Sequence, residues 1–236
     1  MRPALTSRRT TLFAALLLPF LAAAPVQAAE PAVIIPPPQQ DLAAADGIQT
    51  LVLAGGCFWG VQGVYQHTEG VISAVSGYAG DTKEKATYDL VSHGGRTKHA
   101  EAVEIKYDPK KISYGKLLQI FFSVVHNPTQ LNFQGPDVGA HYRSAIFFQT
   151  DEQKKVAEAY IAQLDAAKLY PKKIVTTLEP LLRGFFPAED YHQDYATLHP
   201  NQPYIAFNDL PKIANLKKVF GEIYREKPVL VRQASN

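Results

Sequence analysis

The sequence predicts an α+β fold, a two-layer α/β sandwich in which helices pack on a central mixed sheet. Short strand-like runs interleave with longer stretches of helical periodicity along the chain. Two of those stretches begin on helix-capping residues, Ser113 and Thr150. The length, 236 residues, suits one well-packed domain or at most two.

Residues 1–28 read as a signal peptide outside that fold. Arg2, Arg8 and Arg9 form a positive start, Leu12 to Ala24 an apolar run, and Val26 and Ala28 a small-residue cleavage site. Pro19 and the short length argue against a membrane-spanning helix. The expected location is therefore export, to a bacterial periplasm, by the general route or by the twin-arginine route that "SRRTTLF" loosely matches. The full chain carries 24 Lys and Arg against 22 Asp and Glu; without the three signal arginines the balance is 21 to 22, net −1. Such a chain offers no basic surface for nucleic acid or anionic membrane. Residues 29–49, Pro- and Ala-rich without a period, read as a semi-rigid linker.

From Thr50 the pattern is regular. "TLVLA" is a continuous apolar strand, and "CFWGVQGVYQ" places Phe58, Val61, Val64 and Tyr65 on one helical face. "GVISAVSGYAG" is a strand ending in glycine, and "AEAVEIKYD" alternates with period two. "ISYGKLLQIFFSVV" is an amphipathic helix opened by Ser113, followed by the strand "RSAIFFQ". Thr150 and Gln153 form a capping box at the head of the helix "TDEQKKVAEAYIAQLDAAK". "KIVTTLE" reads as a strand, and a helix is expected near "AEDYHQDY". Residues 209–236 read as a polar C-terminal helix and a loose end, so the core domain is expected over 50–208.

Cys57 is the only cysteine, so no internal disulfide can form, and the thiol is either a buried hydrophobe or a reactive group with an outside partner. A strand ending in Gly55 and Gly56 that passes into a helix puts Cys57 at the helix N-terminus. There the free N–H groups and the dipole are expected to lower the thiol pKa. Phe58 and Trp59 follow it; neighbouring helical positions diverge by about 100°, so both cannot lie on the same buried face and at least one should border the thiol.

In "HAEAVEIKYD" the alternation puts Glu101 on the face of Val103, Ile105 and Tyr107, and Glu104 toward solvent. A carboxyl on the buried face should have a raised pKa and could act as a general acid. The alternative is a strand-end glutamate paired with Arg96 or Lys98. No histidine pair has an HxH or HExxH spacing and one cysteine cannot build a Cys/His cage, so no metal site is expected. A hydrolase or acyltransferase pairing Cys57 with a histidine such as His192 stays open. So does a non-catalytic module whose aromatics bind methionine-like side chains.

The motifs "GGCFWG", "GYAG", "TYDLV", "HAEAVEIKYDP", "HNPTQLNFQGPDVGAHYRSAIFF" and "PAEDYHQDY", in this order, resemble the peptide methionine sulfoxide reductase A family over Thr50 to Asn208. The resemblance implies a sheet of the ferredoxin-like plait type. It also implies reduction of the S epimer of methionine sulfoxide, free or in proteins, through a sulfenic acid on Cys57. By the same resemblance Glu101 protonates the sulfoxide oxygen, and Tyr88 and Tyr142 hydrogen-bond it. Phe58 and Trp59 form the wall for the S-methyl group, Asp137 lies at the site margin, and His192 falls in the matching "YHQ" stretch.

The chain departs from the family in "RTKHAE", in Pro136 and His141 of "PDVGAHYRS", and in "HNPT", which bears on substrate preference more than on chemistry. A larger departure is the lack of a second, resolving cysteine. The sulfenic acid must then be reduced by an external thiol, a thioredoxin-like protein or a small thiol, with no bound cofactor. The expected partners are oxidised proteins, free methionine sulfoxide and that reductant. The chain is expected to act as a monomer, away from the membrane once the signal is removed.

Overall fold

The computed structural model describes residues 30–93 and 97–231. The signal peptide expected at 1–28 lies outside the described residues, as does Arg96. The elements are β1 Gln49–Gly55, α1 Phe58–Gln66, β2 Val71–Ala79, α2 Tyr88–Ser92, β3 Ala100–Tyr107, α3 Tyr114–Ile120, β4 Phe133–Gln134 and β5 Asp137–Val138. There follow β6 Ser144–Phe148, α4 Asp151–Ala167, β7 Thr177–Pro180, β8 Phe185–Pro187, α5 Tyr195–Leu198 and α6 Leu210–Val219.

The main sheet has six strands in the order β7-β6-β1-β3-β2-β8. Every pairing is antiparallel except β6 with β7, so the sheet is mixed, as expected. Its central strand β1, apolar and buried from Leu51 to Gly55 between β3 and β6, carries the chain straight into α1. Helices α1, α3, α4 and α6 pack on one face around Leu51, Leu53, Val64, Ile105, Leu117 and Leu216. On the other face a smaller apolar patch of Val52, Ala54, Ala100, Ala102 and Phe147 is covered by Leu181 and Phe185. That cover buries Ala100 and Ala102, which simple alternation would leave wet.

The expected caps form. Ser113 Oγ accepts from the Lys116 amide at 3.1 Å, and Thr150 Oγ1 from the Gln153 amide at 3.2 Å. The Gln153 side chain reaches past the cap to accept from the Gln149 amide at 2.8 Å. After Ile120 the third helix widens into a π turn over Phe121–Val125, which ends at the extended His126.

Several local expectations are corrected. The strand expected from Lys173 begins only at Thr177, where pairing with β6 starts. The helix expected near "AEDYHQDY" is a single tight turn, Asp190–His192, then α5, because Gln193 is extended and Asp194 is left-handed at φ 60°. Gln193 instead uses its side-chain amide as a strand would, accepting from the Ser76 amide at 3.0 Å and donating to the Ser76 carbonyl at 2.9 Å.

The segment read as a linker is docked on the body. Val33 donates to the Ser123 carbonyl, Gln119 to the Ile35 carbonyl and Tyr160 to the Pro36 carbonyl, while Asp41 accepts from Gly115 at the start of α3. Ile35 is buried in the core. The C-terminal helix α6 likewise packs into the body through Ile213 and Leu216, and the tail beyond it bonds the end of α1 through Arg225 and Val229.

Candidate active site

Strand β1 delivers Cys57 to the first turn of α1 through a tight elbow. Gly56 holds φ 89°, and a Cβ there would stand 2.6 Å from Cβ of Gln134, so only glycine lets the chain turn beneath the β4–β5 hairpin. Gln134 fixes that hairpin, accepting from the Asn127 amide at 3.0 Å and donating to its carbonyl at 2.8 Å.

Cys57 is 7% exposed. Its thiol pKa is raised well above the ordinary value, by burial first and then by the carboxyls of Asp209 and Glu101. Lys212 and the Trp59 amide pull the other way. The expected lowering at the helix N-terminus is therefore reversed at rest. The helix supplies one amide, and desolvation of the thiolate outweighs it.

Glu101 lies on β3 with its side chain turned to the helix layer, 2% exposed, and its Oε2 accepts from the Phe58 amide at 3.0 Å. Burial pushes its pKa up to about 8; the Phe58 hydrogen bond opposes this, and Asp137 and Asp209 add to it. The carboxyl is thus largely protonated at neutral pH. Lys98, the alternative cation, has its backbone amide on Asp81 and its carbonyl on Arg143.

Tyr88, Tyr142 and Asp137 converge on the same point. Burial raises the pKa of the Tyr88 and Tyr142 hydroxyls and keeps them neutral, and Glu101 and Cys57 beside them raise it further once they ionise. Tyr88 is set by Glu189, which accepts from its amide at 2.9 Å and from the Tyr78 hydroxyl at 2.9 Å. Tyr142 is followed by Arg143, whose guanidinium grips both carboxylate oxygens of Glu179 at 2.9 Å. Burial raises the Asp137 pKa even though the Tyr204 hydroxyl donates to its Oδ2.

Phe58 and Trp59 divide as their helical positions require. Phe58 is buried against Tyr78 and His192, at ring distances of 5.9 and 5.0 Å. Trp59 is half-buried, stacks on Tyr195 at 4.0 Å and donates from its indole to Nδ1 of His192 at 3.2 Å. His192 is 2% exposed and neutral, since burial lowers its pKa. Its Nδ1 is occupied by Trp59, and the charges acting on Cys57 come from carboxyls and Lys212 rather than from a histidine. This arrangement does not support a Cys/His hydrolase. Two glutamines of α1 hold the "YHQDY" loop in place, Gln62 donating to Gln193 at 2.8 Å and Gln66 to Asp194 at 2.7 Å.

All eight residues singled out in the sequence gather here. Tyr204, Asp209 and Lys212 also reach the site and were missed. They lie beyond the recognisable motifs, in a stretch where only the fold brings them to the thiol. Among the described residues no group of three or more His, Cys, Asp or Glu side chains could hold a metal ion.

The family model described as peptide methionine sulfoxide reductase matches residues 49–223. A peptide methionine sulfoxide reductase MsrA 2 of Mesorhizobium japonicum is 62% identical over 196 residues, 83% of this chain and 100% of that relative. One of Synechocystis is 48% identical over 75% of this chain and 82% of its own length. Among solved structures, methionine sulfoxide reductase A of Corynebacterium diphtheriae matches with TM-score 0.58 and 31% identity, covering 75% of this chain and 89% of that one. The reduced form of Mxr1 from Saccharomyces cerevisiae matches with TM-score 0.59 and 31% identity, over 70% and 92% of the two chains. The chain belongs to the peptide methionine sulfoxide reductase family.

Proposed function

We infer that the protein reduces the S epimer of methionine sulfoxide, free or in oxidised proteins, and that Cys57 and Glu101 carry the chemistry. The supporting observation is a protonated, buried carboxyl on the amide that opens the helix bearing the thiol. An acid and a nucleophile set that close can act on the two ends of one S=O bond.

In this reading the Cys57 sulfur attacks the sulfoxide sulfur while Glu101 passes its proton to the sulfoxide oxygen, which Tyr88 and Tyr142 hydrogen-bond. The resulting hydroxyl then passes to the Cys57 sulfur as the new S–S bond breaks and methionine leaves. The thiol proton restores Glu101. The net first half converts thiol and sulfoxide into a sulfenic acid on Cys57 and methionine. Two equivalents of an external thiol then return Cys57–SOH to the thiol, giving a disulfide and water. With no second cysteine in the chain, those thiols must come from a thioredoxin-like protein or a small thiol.

Trp59 and Phe58 form the methyl wall, with Trp59 steadied by His192 and Tyr195. Asp137 and Tyr204 border the cavity onto which Cys57 opens. The charged start and apolar run of residues 1–28 support export and repair of exported proteins. The test is methionine release from separate S and R sulfoxides with dithiothreitol as reductant. Release from S alone, lost in Cys57→Ser, is the expected result; equal use of R, or turnover by Cys57→Ser, contradicts it. Binding of sulfoxide peptides without turnover, unchanged in Cys57→Ser, would instead indicate a binding module.

A further inference from the structure

The C-terminal helix brings a buried ion pair to the thiol. Asp209, fully buried, accepts from Lys212 Nζ at 3.2 Å through Oδ1, while its Oδ2 has no hydrogen-bond partner among the described residues. Lys212 and Cys57 wall the same cavity. A carboxylate sunk this deep with one oxygen unsatisfied is costly for the fold, and a well-packed apolar pair would serve stability better.

The first turn of α1 is cut away to admit the pair. A Cβ on Gly60 would stand 2.2 Å from Asp209 Oδ1 and 2.8 Å from Lys212 Nζ. Glycine inside a helix costs roughly 0.5–1 kcal/mol relative to alanine. Gly60 lies three residues after Cys57, a spacing that puts neighbours on one side of a helix. Both unfavourable choices thus fall one turn from the sulfur.

We propose that Lys212, held in place by Asp209, is a positioning residue that supplies the counter-charge for the Cys57 thiolate as it forms. The proposal rests on Cys57 being the nucleophile. Around the sulfur, Asp209 and Glu101 oppose the thiolate and Lys212 favours it. Tyr88, Tyr142 and Tyr204 are neutral, His126 is neutral with its pKa pushed down to about 3, and Asp137 and Glu30 line the same cavity. Among the described residues Lys212 is the only Lys or Arg that lines this cavity, so its removal leaves the thiolate facing carboxyls there. Asp209 has two effects: it anchors the ammonium and, as an anion, holds the thiol proton on.

The test is the rate of Cys57 alkylation by iodoacetamide across a pH series from neutral to strongly alkaline, which needs no sulfoxide chemistry. Lys212→Met should move the midpoint up by about one pH unit, a tenfold loss of thiolate below it. Lys212→Arg should restore the wild-type profile, and Asp209→Asn should move the midpoint down. A midpoint in Lys212→Met that is unchanged or lower overturns the proposal, as does a shift of Met and Asn variants in the same direction. Should Lys212→Met fail to fold, Lys212→Gln takes its place, and an unchanged or lower midpoint in that variant overturns the proposal. A reductase that fails on sulfoxide yet shows these opposite shifts would refute the reaction and leave the ion-pair role standing.

Discussion

The amide of Phe58 donates to Oε2 of Glu101 at 3.0 Å, tying the first turn of α1 to a carboxyl on β3 that burial keeps largely protonated at neutral pH. One hydrogen bond therefore fixes the separation between the thiol's helix and the acid. A backbone amide meets a buried side-chain carboxyl, which leaves little freedom for either group to drift.

Glu101→Gln keeps the shape and removes the proton. Sulfoxide reduction should fall by about 10²- to 10⁴-fold, while Cys57 still alkylates. Steady-state rates beside an alkylation assay check this; a loss below tenfold contradicts the acid role.

Because the acid must be protonated to act, wild-type kcat/KM should decline as pH rises through about 8. The same raised pKa has a stability consequence. Between the ordinary glutamate value, about 4.3, and about 8, the unfolded chain ionises Glu101 while the fold keeps the proton. The folded state then holds more protons, so stability falls with rising pH across that window and levels off above it. Asp209, raised to about 6, adds in the same sense at lower pH. Thermal melts of Glu101→Gln should therefore gain on wild type as pH rises, and a constant difference contradicts the burial effect.

Trp59→Ala removes the surface stacked on Tyr195 and the donor to His192. KM for sulfoxide should rise about tenfold, the loss of one aromatic contact of about 1.4 kcal/mol, with alkylation of Cys57 little changed. The reverse pattern, slowed alkylation with normal KM, would make Trp59 a structural residue.

Gly56→Ala combines a Cβ at φ 89° with a 2.6 Å approach to Gln134. It should cost about 1–3 kcal/mol, read by denaturant unfolding, and lower activity by displacing the hairpin. A neutral substitution would mean that the elbow relaxes freely.

Ile35→Ala tests the docked N-terminal segment. Truncating a side chain buried in the core should cost about 2–5 kcal/mol, whereas a free linker would lose nothing.

Much of this was legible because local rules and global packing agree. Alternation placed Glu101 with Ile105 and Tyr107 on the buried side of β3, and the Gly-Gly-Cys run placed the thiol at a helix start. What the sequence hid depends on partners distant along the chain. The Pro-rich stretch around Ile35 looks like a linker until Ser123, Gln119 and Tyr160 are seen to meet its backbone groups. Asp209 and Lys212 read as one more polar pair on a surface helix; only the missing Cβ of Gly60 lets them reach the thiol. The acidity of Cys57 was misjudged for a related reason. The helix N-terminus is visible in sequence, while the desolvation and the Asp209 carboxyl at the head of α6 that outweigh it are not.

The most direct measurement is the intact mass of the protein mixed with S-methionine sulfoxide and no reductant. The account predicts a gain of one oxygen, located on Cys57, with one equivalent of methionine released per chain and no further turnover until a thiol is added. No oxygen and no methionine, from protein whose Cys57 still alkylates, would contradict it.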